Sequence, residues 1–183
     1  MDRKAVRSLA DQDKERMAKR LSARGAHLLR SGQAEQALPL LLRAYALWPA
    51  DPATAANLGG ALVMAHEYER AIPILERACD QAPDNVAIWI NLGAAYLGER
   101  ESAGDVQQLK AIEAFEQALL LDPIAPNVHY SLGLIHRDRG EIERAIHRFH
   151  QAVQANPLDQ HARRAWQRLQ DEEKNQAKAD QRS

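Results

Sequence analysis

The chain has 183 residues, enough for one ordinary domain or a short repeat array, and its 24 Lys and Arg against 25 Asp and Glu leave a net charge of −1. That balance gives no bulk electrostatic case for binding nucleic acid or a membrane surface. Cys79 is the only cysteine, which excludes an intrachain disulfide and a cysteine-based zinc site.

The N-terminus, MDRKAVRSLADQDKERMAK, lacks the apolar core of a secretory signal, and no apolar run is long enough for a transmembrane helix. The expectation is a cytoplasmic protein without membrane insertion. Val6, Leu9, Ala10, Ala18 and Leu21 share a helical face, which predicts one long helix over residues 3–30. Pro39 and Pro73 are tolerable only near the start of a helix, where amides lack intrahelical partners. The next helices of this kind are therefore expected to begin near Ala34 and Tyr68.

Residues 86–123 carry the clearest pattern. Trp89, Leu92 and Tyr96 fall on one face of a first helix, and Ala111, Phe115 and Ala118 on one face of a second. Gly93 and Ala111 lack bulk, so the two helices can cross closely, and Pro123 stops the second. About six extra residues separate them, within residues 98–110, and insertions of this kind map to loops on one face of a repeat array. Asp105 is expected to cap an early start of the second helix, with Leu109 joining Ile112 on its apolar face. A polar loop around residues 102–104 would top the hairpin.

Weaker copies flank this stretch in register. Ala37 and Pro49, Ala71 and Pro83, Ala111 and Pro123, and Ala145 and Pro157 recur at one spacing, with Gly25, Gly59, Gly93 and Gly133 marking each first helix. After Pro157, Asp159 is an expected N-cap for a last helix, with Ala162, Trp166 and Leu169 facing inward and Arg163, Arg164, Gln167 and Arg168 facing solvent. Beyond residue 171 no apolar period remains, and a mobile polar tail is expected.

These residues resemble the tetratricopeptide repeat, a helix–turn–helix unit of about 34 residues. The resemblance implies an all-α, right-handed α-solenoid with a C-terminal capping helix. It places an N-terminal extension at 1–17, repeats at 18–51, 52–85, 86–125 and 126–159, a capping helix at 160–170 and a tail at 171–183. Arg24 stands where the first copy should carry leucine, and Leu21, Ala55 and His129 replace the aromatic that Trp89 supplies.

In this family the first helix of each repeat lines the concave side. Carried over residue by residue, the groove includes Arg30, Asn57, Met64, Ile90, Asn91, Leu97, Tyr130 and Leu134. Its centre is more apolar than a bare solvent face should be, which points to a peptide or amphipathic helix of a partner. The competing reading is that the array curls tightly, or the terminal helix folds back, and fills the groove. Asn57 and Asn91 hold the same place in adjacent repeats, and an amide can pair with any peptide backbone. They resemble two rungs of the asparagine ladder of O-GlcNAc transferase, whereas the full carboxylate clamp of chaperone-binding members is lacking. The alternative for the pair is ordinary solvated polarity.

Five of the seven histidines lie between His129 and His161. His147 and His150 are spaced to share an ion, but no third ligand is placed beside them, so no metal and no cofactor is expected. His129 and His136 take core places. Trp48, in a loop position, is either a contact hot spot or, the favoured reading, a plug between neighbouring repeats, and Cys79 reads as a small buried residue. No phosphate-cradling loop, HExxH or G-x-S-x-G motif occurs, so an enzyme is not expected. The reading is a non-catalytic protein-interaction scaffold. A self-assembling repeat protein is the alternative, and an RNA-binding repeat is disfavoured by the charge.

Overall fold

The computed structural model describes residues 8–100 and 103–180, with side chains described as far as residue 175. Among the described residues there are nine α-helices and no strands: α1 (Leu9–Arg30), α2 (Ala34–Leu47), α3 (Pro52–Met64), α4 (Tyr68–Gln81), α5 (Val86–Leu97), α6 (Asp105–Leu121), α7 (Val128–Asp138), α8 (Ile142–Ala155) and α9 (Gln160–Asp180). The chain divides into two compact units, the first ending at Ala103 and the second beginning at Gly104. The division falls inside the 98–110 insertion. The third expected repeat thus contributes α5 to one unit and α6 to the other.

In the first unit, α1 begins at Leu9 with Ser8 as its cap, and the part of the expected 3–30 helix before Ser8 lies outside the described residues. α2 and α4 start at Ala34 and Tyr68, as the prolines required. Pro39 and Pro73 fall just past the first turn, so each removes one backbone bond, to Glu35 or Glu69. The turns between paired helices close through a left-handed residue, Gly32 at φ 72° and His66 at φ 60°. There Gln33 N donates to Leu28 O and Glu67 N to Leu62 O, at 2.9 and 2.8 Å, which satisfies carbonyls that the helix end would orphan. The core of this unit is built on fully buried Ala37, Leu41, Leu58, Leu62, Ala71, Leu75 and Ile88. Burying each leucine stabilises the fold by roughly 1.5–3 kcal/mol.

In the second unit, α6 has 17 residues where α2, α4 and α8 each have 14, so the insertion lengthens this helix by about a turn. Two expectations for it are corrected. Asp105 is the first helical residue rather than the cap, and Gly104 precedes it without a side-chain bond. Leu109 is 53% exposed, so lengthening the helix did not bring it under cover. Of the polar loop expected around 102–104, residues 101 and 102 lie outside the described set. α8 and α9 share a core of Ala145, Phe149 and Leu169, on which Ile146, Ala165 and Trp166 pack. Asp159 caps α9, which runs to Asp180, past Leu169, the last buried side chain among those described. The polar stretch holds its helix through good helix formers and pairs such as Arg168–Glu172 at 2.8 Å, rather than through burial.

Candidate protein-interaction surface

The helices that open each hairpin carry the candidate groove residues. In the first unit these are Arg30 on α1, Asn57 and Met64 on α3, and Ile90, Asn91 and Leu97 on α5. Arg30 ends α1 and is exposed. Met64 is 49% exposed, a large apolar side chain left largely in water. Ile90 and Leu97 are half-buried on the neighbouring helix.

Asn57 and Asn91 lie in the seams between successive opening helices. Asn91 Nδ2 donates to the carbonyl of Ala56 at 2.9 Å, and a Cβ at Gly60 would come within 3.1 Å of that nitrogen. Asn57 Nδ2 donates to Ser22 Oγ at 3.4 Å, a longer and weaker bond. Both reach back 35 residues, to equivalent places on the preceding helix. Each bond uses one of two amide hydrogens and neither lone pair of Oδ1, so a peptide backbone could still pair with the remainder. The spacing in the sequence matched the two asparagines to each other. It carried no sign that Ser22 and Ala56 would face them.

In the second unit, Tyr130 and Leu134 on α7 pack against the core of Ala145, Phe149 and Leu169, with the Tyr130 and Phe149 rings 5.5 Å apart. Both side chains stay half-buried there.

The polar surroundings differ between the units. At the end of the α3–α5 face, Glu99 Oε1 lies 2.7 Å from His66 Nδ1 and accepts from the Tyr68 hydroxyl at 3.2 Å. Burial, then the Glu99 charge, pushes the Tyr68 hydroxyl above its ordinary value of 10.0. In the second unit Glu141 accepts from Arg139 and from buried His136, at 2.9 and 2.7 Å, and from Arg144 at 3.2 Å. The Arg139 bond, followed by that from His136, holds its carboxyl down at about 2. His136, expected as a packing residue, is therefore also a hydrogen-bonding one.

A further pattern escaped the sequence reading. Trp89 donates its indole N–H to Pro83 O at 2.7 Å, His129 uses Nε2 on Pro123 O at 2.9 Å, and Arg163 donates to Pro157 O at 2.6 Å, each from six residues along. Pro49 O takes Arg77 instead, at 2.9 Å. Trp89, His129 and Arg163 thus share an N–H donor role at this place, which Ala55 and Leu21 cannot supply.

His147 is exposed, and the His150 ring lies 4.7 Å from Trp166. Among the described residues no three His, Cys, Asp or Glu side chains are grouped to hold a metal ion. Cys79 is buried, and that burial, with Asp80 and Glu76 nearby, pushes its thiol up to about 11, which disfavours the reactive thiolate. Trp48 is half-buried. Among the described residues no helix is long and apolar enough to cross a membrane.

The tetratricopeptide repeat family matches residues 22–86, 61–109, 109–146 and 130–166. Similar solved structures include a thermophilic TPR protein of Thermus thermophilus, at 21% identity over 87% of this chain and 80% of that one, with a TM-score of 0.68. MamA from Desulfovibrio magneticus is similar at 24% identity over 78% of this chain and 77% of its own, with a TM-score of 0.64. A chain of the APC/C hetero-tetramer Cut9-Hcn1 shares 25% identity over 79% of this chain but only 28% of its own, with a TM-score of 0.70. No curated protein sequence matches the chain significantly.

Proposed function

Because the chain belongs to the tetratricopeptide repeat family, whose fold is typical of protein-interaction scaffolds, we propose that it is a non-catalytic adaptor. It holds a peptide or helix of a partner protein against the opening-helix face of the first unit. The observation that carries this reading is Met64, half exposed on α3, with half-buried Ile90 and Leu97 on the adjacent α5. A large apolar side chain left in water at this place contributes most when a partner covers it. Arg30 adds a charge at one end of the face, and the unused halves of the Asn57 and Asn91 amides offer polar pairing along it. Tyr130 and Leu134 play the lesser part, since α8 and α9 already pack on them.

A photo-crosslinker placed at position 64, and at exposed Arg43 as a control, tests the site. The expected result is one protein captured from 64 and not from 43, with capture abolished by Leu97→Asp in a chain of unchanged helicity. Equal capture from both positions removes this face from the function. Self-association remains the alternative. Light scattering at high concentration decides between the two readings.

A further inference from the structure

Arg30, Met64 and Gly98 hold one repeat position, at the C-terminal ends of α1, α3 and α5. Bonds between equivalent places hold these helices side by side, from Asn57 to Ser22 and from Asn91 to the Ala56 carbonyl. Their ends therefore form one row, and its charge is uneven. Arg30 is exposed and makes no ion pair among the described residues. Met64, next in the row, is 49% exposed. Gly98 adds no side chain, and Glu99 follows it with a carboxylate that is 64% exposed.

Glu99 is held in place at the end of α5. His66 Nδ1 at 2.7 Å and the Tyr68 hydroxyl at 3.2 Å both meet its Oε1, and Oε2 is left without a bond to the described residues. Glu67 in the neighbouring turn is already paired with Arg70, and Arg100 beside Glu99 is half-buried. Neither α3 nor α5 has a basic residue in its last turn, so the negative ends of both helix dipoles add to the Glu99 charge. The face thus runs from a cation on α1, across an apolar side chain on α3, to an anion on α5.

The spacing of the row selects the kind of segment that fits it. Packed helices lie about 8–10 Å apart, so each step along the row has about that length. A helix laid across the row returns a side chain to one face every seven residues or so, a rise of about 10.5 Å. An extended strand covers the step in about three residues, and an odd step turns the next side chain to the opposite face. Two successive steps therefore suit a helix.

We propose that the α1–α3–α5 face receives an amphipathic helix of a partner protein, with an acidic and a basic residue about fourteen positions apart and a large apolar residue midway. The acidic residue meets Arg30, the apolar one covers Met64, and the basic one meets the free oxygen of Glu99. This deepens the adaptor reading of the same face and rests on it. The apolar contact supplies most of the affinity, and the two rim charges set orientation and selectivity. A segment acidic at both ends would bring like charge against Glu99.

The test is a displayed library of Ala-rich helical peptides of about 20 residues, randomised along one face and selected on the immobilised full chain. Enriched members are expected to carry an acid and a base about two heptads apart, with Met, Leu, Ile or Phe between them. Arg30→Glu should bind those peptides about fivefold more weakly and, selected afresh, should enrich a base at both ends. Glu99→Arg should enrich an acid at both ends. Glu99→Gln keeps the amide-sized side chain and should only lose the preference for a base, which covers the case of a misfolded Glu99→Arg chain. Enrichment that needs Met64 but carries no charge pattern, or a pattern that these variants leave unaltered, overturns the proposal and leaves the adaptor reading standing. Absence of any enrichment that Met64→Asp abolishes overturns both.

Discussion

Trp89 donates its indole N–H to the carbonyl of Pro83 at 2.7 Å, tying the first turn of α5 to the proline that ended the previous hairpin. The tie explains a substitution that looks disruptive in a repeat pattern. His129 stands in the tryptophan's place and keeps the bond, at 2.9 Å to Pro123, though it lacks most of the tryptophan's apolar area. Trp89→Phe keeps an aromatic ring and loses the donor. It should destabilise the first unit by about 1 kcal/mol, beyond any repacking, read as a lower urea midpoint with unchanged slope.

Gly59 leaves no room for a side chain. A Cβ there would lie 2.6 Å from Leu75 Cγ, and Gly25 and Gly133 are covered in the same way by Leu41 and Phe149. Gly59→Ala gains a better helix former yet should lose about 1–3 kcal/mol through overpacking. Combining it with Leu75→Ala should recover part of that loss relative to the sum of the single changes. Simple additivity in thermal denaturation would show that the two residues do not collide.

Asn91 and Asn57 separate by bond length. Asn91→Ala breaks a bond of 2.9 Å to a backbone carbonyl and should lower stability by about 1 kcal/mol. Asn57→Ala breaks one of 3.4 Å and should lower it by less. Equal losses would contradict this ordering, and binding assays on either variant need the stability difference removed first.

Acid should loosen the α7–α8 turn. Glu141 is held at about 2 in the folded chain, against an ordinary 4.5, chiefly by Arg139 and then His136. A depressed carboxylate contributes stability that is fully present above its ordinary value and is lost as pH falls from 4.5 through 2. Glu141→Gln should therefore flatten the stability profile between those limits while lowering stability at neutral pH. A wild-type and variant pair with parallel profiles across that window would rule the carboxylate out as the source.

The sequence by itself determined the helical hairpins, their proline stops, the starts of α2 and α4, and the Asp159 cap of α9. Each of these depends on local chemistry, namely helical period, the missing proline amide and a capping oxygen a few residues from the amides it accepts. Only the tertiary structure decided what the polar residues of those helices face. Asn57 and Asn91 meet residues 35 positions away, and Tyr130 and Leu134 rest on a core built by α8 and α9. Such meetings depend on how each helix is rotated about its axis and how closely it approaches its neighbour. Spacing along the chain does not encode either quantity. The same limit hid the surroundings of His129, whose Nδ1 is buried without a partner.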